Sequence, residues 1–95
     1  MIQGREQERF ERLWKVDKDA ISGYAQGLTA NLDDAADVES GALAQMWENF
    51  GNYDSEKPFL GWAKGFVLRN AQMLAKDNKR HAHEDLDDLV RREQI

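Results

Sequence analysis

Ser55 to Asn70 reads "SEKPFLGWAKGFVLRN", and its spacing decides the fold. Pro58, the chain's only proline, suits a first helical turn, where its missing N–H costs nothing. From there Phe59, Trp62, Ala63, Phe66, Val67, Asn70, Met73 and Leu74 fall on one side of a helix drawn at about 100° per residue. Lys57, Lys64, Arg69, Lys76 and Lys79 fall on the other, beside Gly61, Gly65, Leu68 and Gln72, with Trp62 and Arg69 near the boundary. The spacing predicts an amphipathic helix that starts close to Pro58, ends at about Lys79, and has a basic outer face.

Working outward, the same periodicity repeats twice upstream. Phe10, Leu13, Trp14, Ala20, Ile21, Tyr24, Ala25 and Leu28 predict a helix from about Glu6 to Thr29. "TANLDDAAD" then breaks the pattern with Asn31, Asp33 and Asp34, side chains that accept hydrogen bonds from the free N–H groups of a first helical turn. A second helix is expected from near Asp33 or Asp34, with Ala35, Val38, Ala42, Leu43, Met46, Trp47 and Phe50 inward. "GNYDSEK" ends it, with Gly51 as the expected C-terminal stop and Asn52, Asp54 and Ser55 as turn formers. The last segment, "HEDLDDLVRREQI", has Leu86, Leu89 and Val90 at helical spacing but is short and charged. Nowhere do apolar and polar residues alternate for long, so no strand is predicted. The expected fold is an all-α compact bundle of three main helices over residues 1–80, followed by an acidic linker or short fourth helix over 81–95. Phe10, Trp14, Trp47, Phe50, Phe59 and Phe66 are its expected core aromatics.

Composition bounds the function. The 95 residues are 41% hydrophobic and 33% charged, too apolar for disorder and enough for one small domain. Cysteine is absent, which excludes disulfides and thiolate chemistry. The N-terminus "MIQGREQERFERLW" is charged rather than signal-like, and no apolar run approaches the roughly eighteen residues of a membrane span. A cytoplasmic location with no membrane partner is expected.

The net charge of -5 hides a segregation. Residues 33–56 hold Asp33, Asp34, Asp37, Glu39, Glu48, Asp54 and Glu56 with no Lys or Arg. Residues 57–83 reverse this, with Lys57, Lys64, Arg69, Lys76, Lys79 and Arg80 against Asp77 alone. Opposite charge on adjacent helices points to two partner surfaces of different sign.

Catalytic and metal chemistry find little support. The carboxylates Asp33, Asp34, Asp37 and Glu39 sit at a helix start, where the dipole favours negative charge. His81 and His83 stand two apart with no cysteine or third histidine to complete a zinc site. Gly61 and Gly65 have the GxxxG spacing, but in a charged helix rather than an apolar span. No cofactor, metal or enzymatic activity is expected.

The order of segments is more specific. "FERLWKVDKDAISGYAQGLTANLDDAADV", followed by "ALAQMWENFGNYDSEKPFLGWAKGFVLRNAQMLAKDNKR", resembles the second domain of bacterial RNA polymerase sigma factors of the extracytoplasmic-function group. The markers are an aspartate-rich start to the second helix, Trp47 near its end, the "NYDSEKPFLGW" turn, and Arg69–Asn70 followed by basic Lys79 and Arg80. The resemblance implies that the second helix docks on the clamp coiled coil of the largest core polymerase subunit through Asp34, Asp37, Glu39, Ser40 and Glu48. It further implies that the turn and third helix hold the single strand of the promoter minus-ten element. Asn52, Tyr53, Asp54, Ser55 and Lys57 would shape a base pocket, Phe59 and Trp62 would give aromatic contact, and Lys64, Arg69, Asn70, Lys76, Lys79 and Arg80 would line the rest of the strand path. Ser40 and Gly41 depart from the family pattern, standing where its members carry glutamine and glutamate. The alternative expectation is a diverged sigma-like interaction domain that binds a regulator such as an anti-sigma factor and no DNA.

Overall fold

A computed structural model describes residues 4–93, and side chains over residues 4–78. Three helices, α1 (Gly4–Gly27), α2 (Leu32–Asn49) and α3 (Phe59–Glu93), pack pairwise, with one 3₁₀ turn at Phe50–Asn52. There is no strand among the described residues, and no described helix is long and apolar enough to cross a membrane. The all-α three-helix bundle read from the spacing is the fold.

Each helix buries the stripe its sequence marks. On α1 the buried residues are Phe10, Ile21 and Ala25, and on α2 Ala35, Val38, Ala42 and Met46. On α3 they are Phe59, Ala63, Phe66, Val67 and Ala71. Leu13, Trp14, Tyr24, Leu43, Trp47, Leu60, Trp62 and Leu74 pack around this core half-buried. Trp14 and Trp47, expected inside it, therefore lie at its edge.

The turn between α1 and α2 satisfies both helix ends. The Thr29 hydroxyl donates to the Ala25 carbonyl at 2.9 Å, which closes the end of α1. Asn31 is the N-cap of α2: its Oδ1 accepts from the Asp34 N–H at 2.8 Å, while its Nδ2 donates to Asp34 Oδ2 at 3.2 Å. This reciprocal pair fixes the start of α2, and Asp33 and Asp34 lie where the helix dipole favours them.

Two boundaries differ from expectation. Gly51 is not a left-handed stop, for no glycine or other described residue has a positive φ. Instead α2 tightens into the 3₁₀ turn, closed by the Tyr53 N–H donating to the Phe50 carbonyl at 3.0 Å. α3 does not end near Lys79 but continues to Glu93. No glycine or proline follows Gly65, so nothing in the chain interrupts the helical backbone.

Gly41 is explained by packing. A Cβ there would lie 2.5 Å from Asn70 Oδ1. The Asn70 amide is not free to swing away, because its Nδ2 donates to Gln45 Oε1 at 2.9 Å and to the Phe66 carbonyl at 2.8 Å. The glycine is what lets α2 and α3 approach at this level.

Helix propensity alone would have Gly41→Ala stabilise α2 by about 1 kcal/mol. The clash with Asn70 reverses the sign. Urea unfolding is expected to show Gly41→Ala destabilised by about 1–3 kcal/mol, as for overpacked sites. Against an Asn70→Ala background the same change should become neutral or stabilising. A single Gly41→Ala variant more stable than wild type would refute the packing role.

Candidate functional site

The segment between α2 and α3 is an ordered turn built around one ring. Tyr53 stacks on Phe50 with centroids 5.7 Å apart and planes at 18°. It meets Phe59 edge-on at 5.8 Å and Trp62 at 4.9 Å. Its hydroxyl donates to the Lys57 carbonyl, so the same side chain fills the turn and closes it. Asp54 shapes the interior: its carbonyl accepts from the Lys57 N–H at 3.0 Å and its Oδ1 from the Glu56 N–H at 3.0 Å. Asn52, Asp54, Ser55, Glu56 and Lys57 are left exposed around the half-buried Tyr53.

Beyond Pro58, whose carbonyl accepts from the Trp62 N–H at 3.3 Å, α3 presents a stripe beside this turn. Trp62 is half-buried, in contact with Phe50, Tyr53, Phe59 and Phe66. The Arg69 guanidinium lies 4.9 Å from the Phe66 ring, and its Nε donates to the Gly65 carbonyl at 3.4 Å. Trp62, Arg69, Met73 and Lys76 stand within about 60° of one another round the helix. Arg69, Met73 and Lys76 are exposed. The result is a strip in which a partly open indole, two cations and a thioether follow one another away from the turn.

Three residues expected on this surface are engaged elsewhere. Phe59 is 4% exposed and belongs to the core, so aromatic contact falls to Tyr53 and Trp62. Lys64 is half-buried with its Nζ 5.2 Å from the Tyr24 ring of α1, about 160° round α3 from Trp62. Asn70 is the interhelical ligand of Gln45 described above. The side chains of Lys79 and Arg80, like those of His81 and His83, lie outside the described residues.

The acidic residues of α2 divide among several sides. Asp34 is half-buried in the cap, and Glu39 Oε1 accepts from the Ser22 hydroxyl of α1 at 2.6 Å. Asp37 lies exposed in a small cleft with Asn70, Met73 and Asp77. Ser40 and Glu48 flank a larger groove of about 560 Å³ between α1 and α2. Its floor is Phe10, Trp14, Leu43 and Trp47, and Glu11 supplies a second carboxylate at its rim. Phe10 supports both indoles, edge-on to Trp47 at 5.3 Å and parallel to Trp14 at 6.4 Å.

Arg9 of α1 was not singled out by the sequence. Its guanidinium lies 5.6 Å from the Phe50 ring and 5.8 Å from the Tyr53 ring. The contact joins positions more than forty apart in the chain, and no local spacing announces it. Among the described residues no group of His, Cys, Asp or Glu is placed to hold a metal ion. No protein-family model, curated protein or solved structure matches this chain.

Removing the Tyr53 hydroxyl isolates its part in closing the turn. Tyr53→Phe should lower unfolding stability by about 0.5–1.5 kcal/mol, the usual worth of one such bond. Amide hydrogen exchange should accelerate at Glu56 and Lys57 more than at Ile21, Met46 and Val67. Exchange in the turn that tracks only the global change would mean that ring packing alone holds it.

Proposed function

We propose that this chain is a transcription-initiation module of the sigma domain 2 kind, which binds promoter single strand on one surface and core RNA polymerase on another. The observation that carries the strand-binding half is the placement of Tyr53 and Trp62, partly open, beside the stripe of Arg69 and Lys76. A single strand is bound by stacking of its bases on aromatic faces while cations follow its phosphates. Extruding a base from a duplex costs a few kcal/mol, so an aromatic contact and a cationic track are needed together. The exposed turn from Asn52 to Lys57 offers amides, a hydroxyl and backbone groups with which a flipped base can be read.

The overall charge of -5 does not oppose this, because screening over about 8–10 Å at ordinary ionic strength makes local charge decisive. Of the carboxylates of α2, Glu39 is bonded to Ser22 and Glu48 faces the groove between α1 and α2, while Asp37 shares a cleft with Met73 of the stripe. Arg69 is further held by its ring contact, which lowers the entropy lost on meeting a phosphate.

For the polymerase half, the groove between α1 and α2 is the supporting feature. Its apolar floor and its Glu11 and Glu48 rim complement a basic helical surface, as the resemblance to sigma factors requires of the clamp coiled coil. In this reading Ser40 and Glu48 carry the contact, whereas Asp37 lines the separate cleft with Asn70, Met73 and Asp77. The same groove supports a second reading, an interaction domain for a helical regulator such as an anti-sigma factor, without strand binding.

Fluorescence anisotropy with a labelled single-stranded minus-ten oligonucleotide in low salt tests the first surface. Trp62→Ala is expected to weaken binding roughly 5- to 150-fold, the loss of one base stack. Absence of wild-type binding at high protein concentration would remove the strand half and leave the interaction-domain reading. A pull-down with core polymerase tests the second surface. Wild type should be retained and Glu48→Arg depleted several-fold. Equal retention of both would place the contact elsewhere.

A further inference from the structure

We infer that Arg9, on α1, is a phosphate ligand of the strand-binding surface, which thereby draws on α1 as well as on the turn and α3. The inference rests on the proposed strand-binding function and adds to it a residue that no spacing in the turn or in α3 implies.

The geometry supplies the reason. Phe50 and Tyr53 are stacked at 18°, and the exposed Arg9 side chain brings its guanidinium to 5.6 Å and 5.8 Å from the two centroids. A guanidinium held against rings uses its face, whereas its N–H groups lie in its plane and point outward in a fork that matches phosphate oxygens. The rings thus hold the cation without consuming its donors.

Electrostatics gives that cation a task. The turn carries Asp54 and Glu56 against Lys57 alone, and α2 before it has no Lys or Arg. A strand whose bases meet Tyr53 and Trp62 must bring phosphates past these carboxylates. Arg69 and Lys76 lie on α3 beyond Trp62, so they serve the strand on that side only. Arg9 is the cation that α1 brings to the Phe50 and Tyr53 rings of the turn itself, where it can neutralise a phosphate beside those carboxylates.

A purely structural Arg9, one that only packs on Phe50 and Tyr53, predicts a different result from a phosphate ligand, and the salt dependence of binding separates them. The full chain is titrated by anisotropy against a labelled single-stranded minus-ten oligonucleotide over a series of low salt concentrations, with folding of each variant checked by circular dichroism. Loss of one phosphate contact lowers the slope of log affinity against log salt by about 0.7 for a single strand. Arg9→Gln, which keeps the planar head but not the charge, should bind several-fold more weakly with that reduction in slope. Arg9→Lys should keep the wild-type slope. A wild-type slope in Arg9→Gln, with Trp62→Ala still weakening binding, overturns the role of Arg9 and leaves the strand-binding reading standing. No binding by wild type overturns both.

Discussion

The contact on which the rest of the structure depends is Phe10 against the rings of the other elements. From α1 it meets Trp47 of α2 at 5.3 Å, Phe50 of the 3₁₀ turn at 5.2 Å and Phe59 of α3 at 5.9 Å, each edge to face. Tyr53, Trp62 and Phe66 continue the chain of rings, and Trp14 stacks on its near side. Every aromatic residue of the chain except Tyr24 is thereby joined in one cluster. Such pairs contribute about 0.5–1.5 kcal/mol each beyond the area they bury, a large share of the stability of a chain this small. The cluster also makes the candidate site inseparable from the core. Tyr53 and Trp62 reach solvent at one edge and pack on buried phenylalanines at the other, so the turn is held rigid by the same contacts that hold the helices together.

Apolar burial alone does not fix how three helices slide against one another, since it has no direction. Two part-buried hydrogen bonds do. Ser22 to Glu39 ties α1 to α2, and Asn70 to Gln45 ties α2 to α3. Each loses its partner if a helix shifts by one turn, and an unpartnered half-buried group costs more than the bond itself contributes. The small residues Ala25, Ala42 and Ala63, all fully buried, and Gly41 against Asn70 allow the helices to come close enough for both bonds to form. Ser40 and Gly41, the two positions at which the chain departs from the sigma pattern, thus have separate physical meanings. Ser40 faces the groove, whereas Gly41 belongs to the helix interface.

The helices and their inner faces were legible because burial repeats with the helical period. Ile21, Ala25, Val38, Ala42, Met46, Phe66 and Val67 can be read in this way from spacing alone. The cap at Asn31 was legible too, from residue type and position. What a helical wheel lacks is the identity of the neighbour a face meets. Lys64 and Arg69 read alike as outward cations, yet one lies on Tyr24 of α1 and the other on Phe66 of its own helix. The end of α3 was misread for a related reason: a charged, weakly amphipathic segment carries no core signal, but backbone continuity needs only the absence of a breaker. Arg9 was invisible because its rings lie in a distant segment. The two tryptophans expected in the core sit at its edge, where they line the groove between α1 and α2.

The segregation of charge and the placement of rings bear on one another. An acidic α2 followed by a basic α3 would pair face to face if opposite charges simply met, and both surfaces would be lost to partners. The interface between them is instead apolar and amide-bonded: Val38, Ala42 and Met46 share one buried cluster with Val67 and Ala71, and Asn70 donates to Gln45. No charged residue is buried among the described residues. Arg9 and Arg69 are held over rings rather than over carboxylates. A guanidinium on an aromatic face keeps its full charge and its in-plane donors, whereas one paired with a carboxylate would present a phosphate with a neutralised site. Holding cations on aromatic residues is therefore a means by which a chain of net negative charge keeps a local surface open to an anionic strand, and it ties the electrostatics of the proposed site to the same ring cluster that builds the fold.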